Sequence, residues 1–149
     1  MKLLTASWFS QLPEGSIKIG ISRGVPRRQP AGYRMLHELQ PGPWFTSIDV
    51  DQYRRRYQQI LDQLDPAAIV GKIEELAAGR SPVLCCFERP DHKSWCHRAF
   101  AAAWLGAYLK RVVPEFGFEQ LPQADHPLMP RRCAAQATAL HAQRTLQVR

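Results

Sequence analysis

Across residues 16–22, Ile17, Ile19 and Ile21 alternate with Lys18, Gly20 and Ser22, the two-residue period of a strand. A shorter strand is expected before it, over residues 2–7, with Pro13 and Gly15 punctuating the link. The period then changes. Over residues 49–64, Val50, Tyr53, Tyr57, Ile60, Leu61 and Leu64 fall on one helical stripe, and Asp49 and Asp51 sit where a helix dipole favours acids. Asp65 followed by Pro66 reads as the cap and first position of a second helix, which Gly79 stops. Residues 82–87 (PVLCCF) form a continuously apolar run, as expected of a central strand covered on both faces of a parallel sheet. Ala99, Phe100, Ala103, Trp104, Ala107 and Tyr108 predict a third helix over 96–112, ended by Pro114.

Between these elements, residues 23–43 carry too many prolines and glycines for a long regular element. They predict a long loop with one helical turn over 34–39. The element order is that of an α/β fold, a single domain with a small, mostly parallel sheet flanked by helices. We place this domain at residues 1–121. A basic extension follows at 122–149, with one acid against four arginines and a helix over 134–146, expected to lie peripheral to the core. Hydrophobic residues at 45% and charged ones at 22% exclude a mainly disordered, collagen-like or coiled-coil chain. No run approaches the ~18 apolar residues of a membrane span, so no membrane partner is expected. The start of the chain reads as a mature strand instead of a signal.

The formal charge is +7, and 15 of the 20 basic residues are arginine, whose planar fork suits phosphate and carboxylate. An anionic small molecule or a nucleic acid is the expected partner; coding bias toward arginine is the alternative. Four cysteines, Cys85, Cys86, Cys96 and Cys133, lack the density of a disulfide scaffold, which fits a reducing cytoplasm. Cys85 and Cys86, adjacent on a strand, point to opposite faces.

The richest chemistry lies in the turn after the apolar strand, because ligands of open parallel sheets bind beyond the carboxyl ends of strands. A helix beginning near Cys96 lowers the pKa of a thiol at its start and favours an anion there. Cys96 is therefore a candidate nucleophile, His97 a proton-transfer residue and Glu88 a base or orienting group, with Arg98 as an anion clamp. The same residues admit a structural role, with Cys96 packed under the helix and Glu88 paired to Arg98. Zinc ligation by Cys86, His92, Cys96 and His97 lacks paired Cys-x2-Cys spacing, so no metal site is assigned and the cofactor is left open. Ser22, Arg23 and Gly24 form a second candidate element, an anion-binding loop at a strand's carboxyl end. A parallel sheet would bring this loop beside the Cys96 turn.

Three blocks carry a family resemblance: Ser7-Trp8-Phe9 with its leucine-proline turn, residues 19–26 (IGISRGVP), and residues 83–90 (VLCCFERP) leading to Trp95-Cys96-His97-Arg98. Together they resemble the bacterial and archaeal family called domain of unknown function 488, over about residues 1–112. The resemblance implies a small cytosolic α/β domain of unassigned activity. It marks Glu88, Cys96, His97, Arg98, Ser22 and Arg23 as the family-like positions. The expectation is an enzyme-like domain binding a phosphorylated or nucleotide-type anion between the two loops. A nucleic-acid-binding accessory protein and a non-catalytic interaction domain are the alternatives.

Overall fold

The apolar run at residues 82–87 fixes the architecture. It forms the long strand β4 (Ser81–Cys86), which pairs in parallel with β1 (Leu4–Ser7) on one side and β2 (Ser16–Gly20) on the other. A two-residue strand, β3 (Arg34–Met35), extends the sheet to the order β1-β4-β2-β3. The computed structural model describes residues 1–92 and 94–131, and the helix expected over 134–146 lies outside them, as does Cys133.

Helix α1 (Val50–Asp62) starts at Asp49, whose carboxylate accepts the Gln52 amide, and α2 (Pro66–Ala77) starts at Asp65, which accepts from Ala67. Both caps satisfy amides that the first turn leaves without partners. The buried stripes of α1, α2 and α3 (His97–Leu109) share one apolar cluster with Ile17, Ile19, Ile21 and Leu84. The helices therefore cover one face of the sheet. On the other face, Val83 and Cys85 are covered by Trp8, Leu12, Val25, Tyr33 and Phe116 from connecting segments. No helix among the described residues is long and apolar enough to cross a membrane.

Three expectations change. The helical turn expected over 34–39 is present only as a 3-10 turn at His37–Leu39, with β3 before it, because Leu36 donates to the Gly20 carbonyl (2.9 Å) and draws the chain onto the sheet. The third helix ends at Leu109, with Lys110 in the left-handed region (φ 57°). The described part of the extension, residues 122–131, is not peripheral: Gln123, His126, Leu128 and Met129 are buried. The Gln123 amide clamps the Val113 backbone through both N–H and C=O, at 2.8 and 3.1 Å.

Gly20 shows how tightly the loop-covered face is packed. A Cβ there would lie 2.3 Å from the Trp8 ring and 2.6 Å from the Met35 sulfur. Gly20→Ala is expected to destabilise the protein by about 1–3 kcal/mol, read as a lower urea midpoint, since a buried indole has no room to retreat. An unchanged midpoint would mean that this face is loosely packed.

Candidate functional site

The chain leaves β2 toward β3 on one side of the sheet. After β4 and α3 it runs to the opposite edge, where Glu115 bridges to Thr5 of β1. These departures in opposite directions open a crevice beyond the carboxyl ends of β2 and β4, the usual ligand position of open parallel sheets. A cleft of about 390 Å³ lies there. Ser22, Arg23 and Gly24 line it from the β2 side, and Cys86, Glu88, Cys96 and His97 line it from the β4 and α3 side. Phe45, Tyr53 and Trp95 add aromatic surface.

Cys96 is the N-cap of α3. Its backbone is extended (φ −149°, ψ 146°), its Sγ accepts the Arg98 amide at 3.5 Å, and its own N–H is held by the Leu128 carbonyl at 3.0 Å. The positive end of the helix dipole thus faces this sulfur. His97 is buried, with Nε2 2.8 Å from the Ile21 carbonyl. A carbonyl only accepts, so Nε2 carries a proton. The other nitrogen, Nδ1, faces two sulfurs, 3.8 Å from Cys86 Sγ and 3.7 Å from Cys96 Sγ.

The electrostatics follow from these contacts. Burial opposes a thiolate at Cys96, but the Cys86 thiol donating to it and the cations of His97 and Arg98 outweigh that cost and hold its pKa well below the ordinary thiol value. Desolvation lowers the His97 pKa, and the Cys96 charge more than reverses it, so the imidazole pKa is raised. Cys86 goes up because it donates its proton to Cys96 and is itself buried. Glu88 is raised by desolvation and by the neighbouring Cys96 charge. On the opposite face, burial pushes the Cys85 thiol up to about 12, leaving it protonated.

Two expected anion ligands have other partners. The Ser22 hydroxyl donates to the Gly24 carbonyl (2.6 Å) and accepts from the Trp8 indole (2.8 Å), so it shapes the loop. Arg98 is fully buried behind the cleft wall. Its Nε and Nη2 bind Glu115 at 2.9 and 2.7 Å, and Nη2 also holds the Glu88 carbonyl at 2.7 Å. An arginine so engaged positions the wall and does not clamp an incoming anion. The expected Glu88–Arg98 pairing exists only at 4.0 Å, too long for a hydrogen bond. Arg23 is exposed, with its guanidinium held by the Pro41 carbonyl at 3.1 Å, and it is the arginine among the residues lining the cleft.

Sequence reasoning missed the buried chain behind the wall. His126 accepts the Leu128 amide on Nδ1 (3.1 Å), which leaves Nε2 to donate to Thr5 Oγ1 (2.7 Å), and Thr5 donates to Glu115 (2.7 Å). The available signal was a lone acid, Glu115, set between Val112-Val113-Pro114 and Phe116. Compared with protein-family models, with curated proteins and with solved structures, the chain matches none, so the reading of this cleft rests on its own geometry.

Proposed function

We propose that the chain is an enzyme that takes a phosphorylated or nucleotide-type anion into this cleft, with Glu88, Cys96 and His97 supplying the chemistry. The observation that carries the reading is the meeting of the Arg23 loop and the α3 start across one cleft. Arg23 and the positive helix end both favour negative charge, and they approach it from opposite walls. Phe45 and Trp95 offer aromatic surface against which a planar base can pack, which supports a nucleotide-type ligand over bare phosphate. Glu88, half-buried and with its pKa raised by desolvation and the Cys96 charge, suits a proton-transfer role. The resemblance to the domain of unknown function 488 family rests on the three sequence blocks alone, and we propose it on that footing, together with a reducing, cytosolic setting for the free thiols.

Thermal-shift measurements with a panel of nucleotides and phosphosugars test this reading. Stabilisation by at least one of them is expected, and Arg23→Ala should weaken it about 10- to 100-fold, since a hydrogen bond to a charged group contributes about 1.5–3 kcal/mol. Because Arg23 is exposed, the variant should fold normally. No shift with any anion, alongside tight and salt-sensitive DNA or RNA binding, would replace the enzyme with a nucleic-acid-binding protein.

A further inference from the structure

Thiol and imidazole atoms stand together at the wall of the cleft. Cys86 Sγ, Cys96 Sγ and His97 Nδ1 lie within 4.8 Å of one another, with the two sulfur-to-nitrogen distances at 3.8 and 3.7 Å. A tetrahedral zinc ion, with bonds of about 2.3 Å to sulfur and about 2.0–2.1 Å to nitrogen, sets its ligand atoms about 3.6–3.8 Å apart. We propose that Cys86, Cys96 and His97 bind a divalent metal ion of the zinc type, leaving a fourth coordination position on the cleft side.

Four features favour a metal over simple packing. The Ile21 carbonyl fixes the Nε2 proton of His97, which in the neutral ring leaves the Nδ1 lone pair aimed at the sulfurs. This is the outer-shell contact that orients metal-binding histidines. Secondly, all three residues are buried, at 5%, 2% and 3% exposure, where an uncompensated charge is costly. Two thiolates and one dication sum to zero, and the two protons that the cluster still holds, on Cys86 Sγ and on His97 Nδ1, leave to solvent as the metal enters. Thirdly, the donors sit on rigid elements: the last residue of β4, the cap of α3 and its first residue.

The fourth feature lies beside the cluster. Arg98 Nη1 and Glu88 Oε2 are buried and have no hydrogen-bond partner among the described residues, and they stand 4.0 Å apart. The Arg98 side chain is 0% exposed. A water between this donor and this acceptor would satisfy both, which makes the wall behind the donor set a polar one. Three protein ligands with an open fourth position is the arrangement of catalytic zinc, whereas structural sites are closed by four. Glu88 would then be the base acting at that position. In the sequence these three stood among four conceivable ligands, with His92, and nine residues between the two cysteines gave no paired spacing to single them out.

The metal assignment stands on the donor geometry, whereas its catalytic use rests on the proposed function. Titrating the reduced, metal-free full chain with Co²⁺ tests it, reading the visible bands of tetrahedral cobalt and the thiolate charge-transfer band. One equivalent should saturate both signals, and Zn²⁺ should displace the cobalt. Cys86→Ser and Cys96→Ser should each weaken binding by at least about 100-fold, and Cys133→Ser should leave it unchanged. Because the first two variants alter buried positions, a second measurement uses the native chain: one equivalent of Zn²⁺ should protect Cys86 and Cys96 from alkylation, mapped by mass spectrometry. Absence of the cobalt–thiolate band, or a band that survives in folded Cys86→Ser, overturns the metal site, as does unchanged alkylation. Neither readout involves an anion. A metal-loaded protein without Arg23-dependent anion binding would remove the enzyme reading alone, and the reverse result would leave an anion site served by an unmetallated thiol and imidazole.

Discussion

Glu115→Ala is expected to lower the unfolding free energy by about 3–5 kcal/mol, because it strands the Arg98 guanidinium inside the protein. Both side chains are buried, at 0% exposure for Arg98 and 1% for Glu115, so water cannot take over the lost contacts. The pair is bidentate, with Nε to Oε1 at 2.9 Å and Nη2 to Oε2 at 2.7 Å. The geometry is the strong form of a charged hydrogen bond. Removing the acid also takes away the acceptor of the Thr5 hydroxyl. Glu115→Gln keeps the shape and one acceptor oxygen, so its loss should be smaller, and the order wild type, glutamine, alanine should appear in denaturant midpoints at a constant slope. A loss under about 1 kcal/mol for the alanine variant would mean that the guanidinium finds solvent. Since Arg98 also holds the Glu88 carbonyl, the same substitution loosens one wall of the cleft.

Acidification should remove a comparable amount of stability through His126. Burial, followed by the charge of Arg98, lowers its pKa from the ordinary 6.5 to about 3. The hydrogen bonds give the reason: Nδ1 already accepts the Leu128 amide, so a second ring proton would point at an N–H. An unfolded chain takes up that proton near pH 6.5, and the folded chain does not until about pH 3. In that window the unfolded state holds more protons, so stability rises with pH. The contribution is complete above pH 6.5 and declines progressively as pH falls toward 3, by on the order of 4 kcal/mol in all. Carboxylates titrate in the same range, so the decisive quantity is a difference. The gap between wild type and His126→Gln should narrow or reverse as pH falls from 7 to 4. Parallel loss in the two proteins would exclude His126 as the cause.

Much of the fold was legible because its signals are local. The alternation at Ile17, Ile19 and Ile21, the stripe through Tyr53 and Tyr57, the Asp65-Pro66 start and the apolar run over 82–87 each report a neighbourhood of a few residues. The expectation that the Ser22 loop would lie beside Cys96 needed one further rule, that parallel strands align their carboxyl ends. What could not be read was non-local. Arg98 looked free because its partner, Glu115, lies on a segment whose return to β1 has no sequence signature. Ser22 looked like a ligand because the indole that occupies it comes from Trp8, across the sheet. The strand at Arg34–Met35 is set by pairing with β2, and two residues are too few to show a period.

The same returning segment does something else for the molecule. Thr5 donates to the Pro114 carbonyl and accepts from Phe116 at 2.9 and 2.8 Å, so residues 114–116 occupy the outer flank of β1. At the opposite margin the sheet ends in only two residues. An all-parallel sheet exposing a long row of free amides and carbonyls would invite another copy to pair with it. Here one border is sealed by the chain itself and the other is too short to serve as a template. The stretch that neutralises a buried cation thus also keeps neighbouring molecules from joining sheet to sheet in a crowded solution.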